Sequence, residues 1–284
     1  MQLFYCILIG FFGLLVGSFL NVVIVRLPKM LQKNWEQECH EFLGQKPETQ
    51  AATSPSPYNL CFPRSHCCHC QRQLSWYENI PLFSYIFLKG RCRSCKTTIS
   101  RIYPVVELLA SLVSFVVAQH FFNSPLLIPA LILSLSLIVL SFIDFEHQIL
   151  PDCITLFLLW LGLGLSAVDL SVSPADAILG AIAGYLSLWS IYWLFKFFTH
   201  KEGLGYGDFK LLALLGAWCG YSALPFILLI ASVTGSIVGL TLILCFNRDR
   251  RAPLAFGPYI ALGGWLTFMW SQPILSFYHH LVLW

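Results

Sequence analysis

The sequence predicts an all-α polytopic membrane protein, with about eight transmembrane helices and a small cytoplasmic zinc-binding domain between the first and second. Three observations carry this. Hydrophobic residues make up 57% of the chain and charged residues 11%, with a mean hydropathy of +0.71, which excludes a soluble domain with one anchor. Apolar stretches of spanning length, or close to it, recur along the chain. The 17 Lys and Arg residues fall only at 26–101, 196–210 and 248–251.

Taken in order, the apolar stretches run over 3–25, 104–122, 125–143, 154–169, 176–198, 208–220, 222–245 and 254–273. The first lacks a basic leader, and its basic residues begin after the apolar run at Arg26. It therefore reads as a retained anchor and not as a cleaved signal. The stretch 208–220 is short for a span of about 20 residues, so it is half-buried in protein or ends in a tight turn at Gly220-Tyr221-Ser222. One long hydrophilic stretch, 27–103, contains a Pro- and Ser-rich flexible connection at 50–57. No internal repeat is visible.

Charge placement sets the topology. No Lys or Arg lies near 120–125, 170–176 or 220–223, nor after the last stretch. With eight spans, every basic residue then lies on one side, which the positive-inside rule makes cytoplasmic, with both termini outside. The same count places Asp144 and Asp208 at the cytoplasmic edge.

Cys67-Cys68-His69-Cys70 and Cys92-Arg93-Ser94-Cys95 form two C-x-x-C knuckles. Each pair closes a tight turn that points two thiolates at one ion, the pattern of a four-cysteine zinc site. A cytosolic setting favours metal over structural disulfides. Cys68, His69 and His66 crowd the first knuckle, but Cys67, Cys70, Cys92 and Cys95 fit best. A closed four-thiolate site has no open position for water, so this zinc is structural.

Candidate carboxylates are Asp144, Glu146, Asp152, Glu202, Asp208 and Glu107. A carboxylate close to hydrocarbon costs about 2.5–3.5 kcal/mol on insertion scales, so it calls for a function. Asp208 leads, because Gly205 and Gly207 remove side chains just before it. They let a substrate backbone approach or let the chain take positive φ. Asp144, closing the run Leu137–Ile143, is its natural partner in an acid–base pair. Helix capping would suffice for one such aspartate; two, with the glycine pattern, favour catalysis. For Asp152, after Pro151, helix N-capping suffices; Glu146 and Glu202 read as surface groups. His147, His200, His279 and His280 lack ligand spacing.

These residues resemble those of the type IV prepilin leader peptidases, bifunctional GxGD membrane aspartyl proteases. The resemblance covers nearly the whole chain. It begins with Gly17-Ser18-Phe19-Leu20-Asn21 and Arg26-Leu27-Pro28, then the two knuckles, Trp76-Tyr77-Glu78-Asn79-Ile80-Pro81 and Tyr103-Pro104-Val105-Val106-Glu107-Leu108. It continues with Asp144, Leu150-Pro151-Asp152, Gly205-Tyr206-Gly207-Asp208-Phe209-Lys210 and Phe256-Gly257-Pro258-Tyr259. Cys68 and Ala255 depart from it where proline is common.

The resemblance implies catalytic aspartates at Asp144 and Asp208, with Gly205 and Gly207 at the substrate. It also implies cleavage of the basic leader of type IV prepilins and type II secretion pseudopilins after glycine, on the cytoplasmic side of the bacterial inner membrane. Methylation of the new N-terminus by S-adenosylmethionine would follow. The implied domains are an anchor at 1–26, the four-cysteine domain and methyltransferase region at 27–103, and the protease domain at 104–284. No nucleotide fingerprint marks the methyl-donor site; Glu78 and Asn79 are candidates by resemblance and location. Partners are pilin-type substrates and membrane lipid, not nucleic acid. A proton-coupled transporter is the alternative, but it predicts mid-membrane carboxylates and repeated halves. A pilus assembly scaffold would leave the Gly-x-Gly-Asp pattern unexplained.

Overall fold

The computed structural model describes residues 1–44, 58–201, 203–246 and 254–270. The connection expected at 50–57, Glu202, the basic residues 248–251 and the His279-His280 pair lie outside the described residues. The described elements are α1 (Gln2–Phe42), α2 (Phe83–Phe87), α3 (Ile102–His120), α4 (Leu127–His147), α5 (Asp152–Ala167), α6 (Pro174–Thr199), α7 (Tyr206–Cys219), α8 (Leu224–Phe246) and α9 (Gly257–Met269). Short 3₁₀ turns precede α2 and α8, at Trp76–Asn79 and Tyr221–Ala223. No strand occurs among the described residues; extended pairing is confined to two isolated bridges.

Among these, α1, α3, α4, α6 and the run Tyr221–Phe246 are long and apolar enough to cross a membrane. The other expected spans form as α5, α7 and α9, with 16, 14 and 13 residues. At 1.5 Å per residue these helices are about 20–24 Å long, short of a hydrocarbon core of about 30 Å. The structure divides into two compact units, Met1–Gln119 and His120–Trp284. Thus α3, grouped by sequence with the protease domain, falls almost wholly in the first unit.

In the first unit α1 and α3 approach closely because small residues line the contact. A Cβ on Gly13 would lie 2.8 Å from the Ala110 carbonyl, and one on Gly17 would lie 2.8 Å from Glu107 Cα. Polar bonds register the pair: the Ser111 hydroxyl donates to the Gly10 carbonyl at 2.8 Å, and the Asn21 amide to that of Tyr103 at 3.1 Å. The expected end of the first span near residue 25 is not a helix end, since α1 runs on to Phe42. Residues 29–38 include Met30, Leu31, Gln32, Lys33, Glu36, Gln37 and Glu38, strong helix formers that carry the helix past Pro28. Buried Arg26 then gathers the returning chain, donating to the carbonyls of Asn59 at 2.9 Å and Pro63 at 2.6 Å.

In the second unit α7 is the core. Every residue from Asp208 to Trp218 except Lys210 is buried, as suits a helix that is apolar nearly all round. Helices α5, α6 and α9 pack on it. Glycines bring α6 closest: a Cβ on Gly180 would clash with the Gly216 carbonyl, and one on Gly184 would lie 2.7 Å from that of Leu212. The Trp218 indole donates to the Leu158 carbonyl of α5 at 2.8 Å. This burial explains the short α7: protein, not lipid, surrounds it. Its N-terminus is fixed by Gly205 and its C-terminus by Gly220 at φ +82°, a conformation that glycine adopts without penalty.

Candidate functional site

The first unit holds the cysteine cluster. The Sγ atoms of Cys67, Cys70, Cys92 and Cys95 all lie within 4.8 Å of one another. Around a tetrahedral ion with bonds of 2.3 Å, neighbouring sulfurs would sit about 3.8 Å apart; the Cys67 and Cys95 sulfurs are at 3.7 Å. The Thr97 hydroxyl, 3.2 Å from Cys95 Sγ, together with the Thr97 backbone holds that thiol down to about 6, towards the thiolate that a cation needs. These donors fit a soft tetrahedral metal.

The two knuckles repeat one another, which the sequence reading missed. The Cys67 amide donates to the Arg72 carbonyl at 2.9 Å, and Cys92 to Thr97 at 2.8 Å. Gln71 and Lys96, four residues after those cysteines, both take positive φ. The bridges His66 with Gln73 and Arg91 with Thr98 close the loops at equal offsets. The doubled C-x-x-C was the available signal.

Glu78, a sequence candidate for the methyl-transfer site, is buried and already engaged. It accepts from the Ser75 amide at 2.9 Å and pairs with Arg72 at 2.6 Å. The Ser75 amide first, and Arg72 after it, hold its carboxyl below the usual range against the opposing effect of burial. Asn79 is exposed.

In the second unit, Asp144 lies in the last turn of α4 and Asp208 in the first turn of α7, each 6% exposed. Each carboxylate accepts from a glycine amide. Gly205, the N-cap of α7, donates to Asp208 Oδ2 at 3.2 Å, the returning half of a capping box. Gly257, the first residue of α9, donates to Asp144 Oδ2 at 3.0 Å, so Asp144 caps a helix 113 residues away. Capping is therefore real for both side chains, and it fixes their orientation.

Leu150 brings the two sites together. A Cβ on Gly207 would lie 2.8 Å from Leu150 Cβ, and one on Gly257 would lie 3.4 Å from Leu150 Cδ1 and 2.6 Å from Asp144 Oδ2. The residue before Asp208 and the residue bonded to Asp144 thus pack on one side chain. Two oriented, buried carboxylates can share one proton and divide acid and base roles.

Gly205 and Gly207 both keep out of the positive-φ region, so the conformational alternative for them is not realised. The space over Gly207 is filled by Leu150, whereas a Cβ on Gly205 would meet nothing nearer than 3.6 Å. Asp152 is not an N-cap: Pro151 holds that position, and Asp152 accepts from Lys210 Nζ at 2.7 Å. Glu146 is exposed, with His147 at 4.0 Å. Glu107 accepts from the Leu82 amide at 2.9 Å in the first unit, away from the aspartates in sequence and unit. Gly257 and Leu150 were quoted only as parts of motifs; their roles depend on contacts that no local spacing encodes.

Two family descriptions match the chain: the bacterial peptidase A24 N-terminal domain over residues 11–121 and the type IV leader peptidase family over residues 131–240. A prepilin leader peptidase/N-methyltransferase of Pseudomonas aeruginosa is 49% identical over 94% of this chain and 90% of its own length. The chain belongs to the type IV leader peptidase family. A protein of the same description from Aeromonas hydrophila is 48% identical over 96% of this chain and 93% of its own, and one from Dichelobacter nodosus 44% over 94% and 92%. No solved structure matches the chain. The four cysteines fall within the first matched region of this leader peptidase family member, and Asp144 and Asp208 within the second.

Proposed function

We propose that the chain is a bifunctional prepilin peptidase. It removes the basic leader of type IV prepilins and type II secretion pseudopilins after a glycine, on the cytoplasmic side, and then methylates the new N-terminal amine. The observation that carries this reading is that Gly207, which precedes Asp208, and Gly257, which donates to Asp144, both pack on Leu150, beside two buried carboxylates at the ends of apolar helices. A prepilin is itself a membrane helix preceded by a basic leader, so its scissile bond lies at the depth of these carboxylates.

In this mechanism the ionised member of the pair takes a proton from water as that water attacks the scissile carbonyl. The protonated member donates to the carbonyl oxygen and the proton passes on to the leaving amine. The amides of Gly205 and Gly257 hold the carboxylates in register. The open face at Gly205 gives the extended cleavage segment backbone to pair with, while Gly207 makes room for Leu150.

Cys67, Cys70, Cys92 and Cys95 hold a structural Zn²⁺, which supplies folding energy and no chemistry. The domains are the anchor 1–26, the four-cysteine domain 27–103 and the protease domain 104–284, of which α3 packs on α1. Eight crossings in the bacterial inner membrane, with α5, α7 and α9 completing the count inside the bundle, leave both termini periplasmic and the zinc domain cytoplasmic. The methyl donor is S-adenosylmethionine. Glu78 is committed to Ser75 and Arg72, and the groove at residues 87–96 is lined by cations, which suits a sulfonium poorly.

The test is to incubate the purified protein with a prepilin, with and without S-adenosylmethionine, and weigh the products. Loss of the leader in both, plus one methyl mass only with the donor, is expected. An uncut prepilin would overturn the peptidase reading, and cleavage without methylation the bifunctional one.

A further inference from the structure

Between Glu78 and Glu107 the chain carries Lys89, Arg91, Arg93, Lys96 and Arg101 and no acidic residue. The first four are exposed and border an open groove of about 520 Å³, with Phe87 on its wall. Beside them, α2 presents Phe83, Ile86 and Phe87 at 54, 69 and 83% exposure. Their i, i+3, i+4 spacing puts them on one helical face. An exposed apolar face rimmed by cations is the pattern of a protein or membrane interaction site.

The depth of this surface is fixed by the chain. Leu82, immediately before α2, donates its amide to Glu107. Glu107 lies five residues after Ile102, the start of α3, or about 8 Å along the helix axis. Gly17 and Asn21 of α1 meet α3 at the same level, at Glu107 and Tyr103. The segment before α2 is thus pinned to α3 near the start of its apolar portion, where α1 also packs on α3. Lys96 stands six residues before Ile102, within at most about 22 Å of the same boundary.

We infer that α2 and the second cysteine knuckle form an in-plane membrane anchor, with Phe83, Ile86 and Phe87 sunk into the hydrocarbon boundary and Lys89, Arg91, Arg93 and Lys96 on anionic lipid headgroups. This uses the ordinary chemistry of interfacial helices, an apolar face flanked by Lys and Arg, at a leaflet whose anionic lipids attract juxtamembrane cations. The inference rests on the membrane reading of α1 and α3 and adds a lipid class to it. A prepilin leader is basic, so this surface would repel it; an anionic bilayer has the complementary charge.

The test places benzoyl-phenylalanine at position 87 or, as a control, at Phe42, the exposed end of α1 that lies about 30 Å beyond Asn21. The full-length protein is irradiated in nanodiscs of phosphatidylcholine with 30% phosphatidylglycerol, and adducts are weighed. The expected result is lipid adducts at 87 and none at 42, with phosphatidylglycerol about threefold over its share at 0.1 M salt and at its share at 1 M, where screening contracts to about 3 Å. The quadruple variant K89Q/R91Q/R93Q/K96Q should remove the enrichment and keep the lipid adduct, with its metal content checked. A cross-link to a second copy of the chain, or none, overturns the anchor; lipid adducts without enrichment overturn the headgroup assignment. Sidedness does not matter in a nanodisc and cleavage is not the readout, so failure here is distinct from failure of the peptidase reading.

Discussion

The two units build their sites in opposite ways. In the first, the cysteines come in two local knuckles, each a six-residue loop with the same hydrogen bonds and a positive-φ residue at the same position. In the second, Asp208 is oriented by Gly205, three residues away, but Asp144 by Gly257, 113 residues away. One site is a repeated local turn; the other exists only once helix ends distant in sequence have packed. Loss of a ligand should therefore act on local folding in the first unit, and loss of a packing contact on chemistry in the second.

The largest effect expected is on the carboxylates. Asp208→Asn and Asp144→Asn should each lower prepilin cleavage by at least about 10²–10⁴-fold, while methylation of a pre-cleaved peptide continues. Asn keeps the shape and can still accept from the glycine amides, so a fall in cleavage with unchanged thermal stability separates catalysis from capping. Retained processing would return both residues to the role of caps. Metal removal should break the other unit. Structural zinc contributes about 10–16 kcal/mol in small zinc peptides, so Cys92→Ser or chelation should raise hydrogen exchange across residues 64–98. Exchange in α4 and α7 should stay as it was. One zinc per chain should be released; protection lost in both units would end the comparison.

The same contrast explains what the sequence disclosed. The cysteine cluster was readable because C-x-x-C is itself the local geometry, and the apolar helices because hydropathy is summed over many residues. Asp144 and Asp208 were readable as charged residues at the ends of apolar runs. What joins them was not: Leu150 looks like any core leucine and Gly257 like any residue before Pro258 at a helix start. Likewise the end of α1 at Phe42 is set by helix propensity past the membrane, where hydropathy no longer reports. The short α7 was readable as a run at 208–220 too brief for a span and half-buried in protein, but the close approach of the α6 glycines to it was not, because packing alone fixes their partners.

A subtler break is Gly257→Ala. Its Cβ would fall 2.6 Å from Asp144 Oδ2, so the carboxylate or the start of α9 must shift. Misplacement of about 1 Å costs up to about 10²-fold in rate, and kcat for prepilin cleavage should fall by about 10–100-fold with KM little changed. Gly205→Ala, whose Cβ has room, should act instead on KM if the substrate backbone pairs there. Equal effects on kcat in both variants would mean that Gly257 does not position Asp144.

The smallest effect sharpens the first unit. Glu78 joins the 3₁₀ turn at Trp76–Asn79 to Arg72, whose carbonyl closes the first knuckle. Its carboxyl titrates below the usual range because the Ser75 amide, then Arg72, bond its ionised form. A group with a lower pKa in the folded state stabilises fully above its unfolded value, about 4.3 for Glu. That contribution disappears as pH falls through the folded value. Glu78→Gln should therefore lower the unfolding temperature of the zinc domain at pH 7, and the gap to the parent protein should narrow only as pH falls below about 4.3. The zinc ligands protonate alike in both proteins, so the difference isolates Glu78. A gap that stays constant as pH is taken well below about 4.3 would show that the charge of Glu78 does not hold the knuckle, and that its packing does.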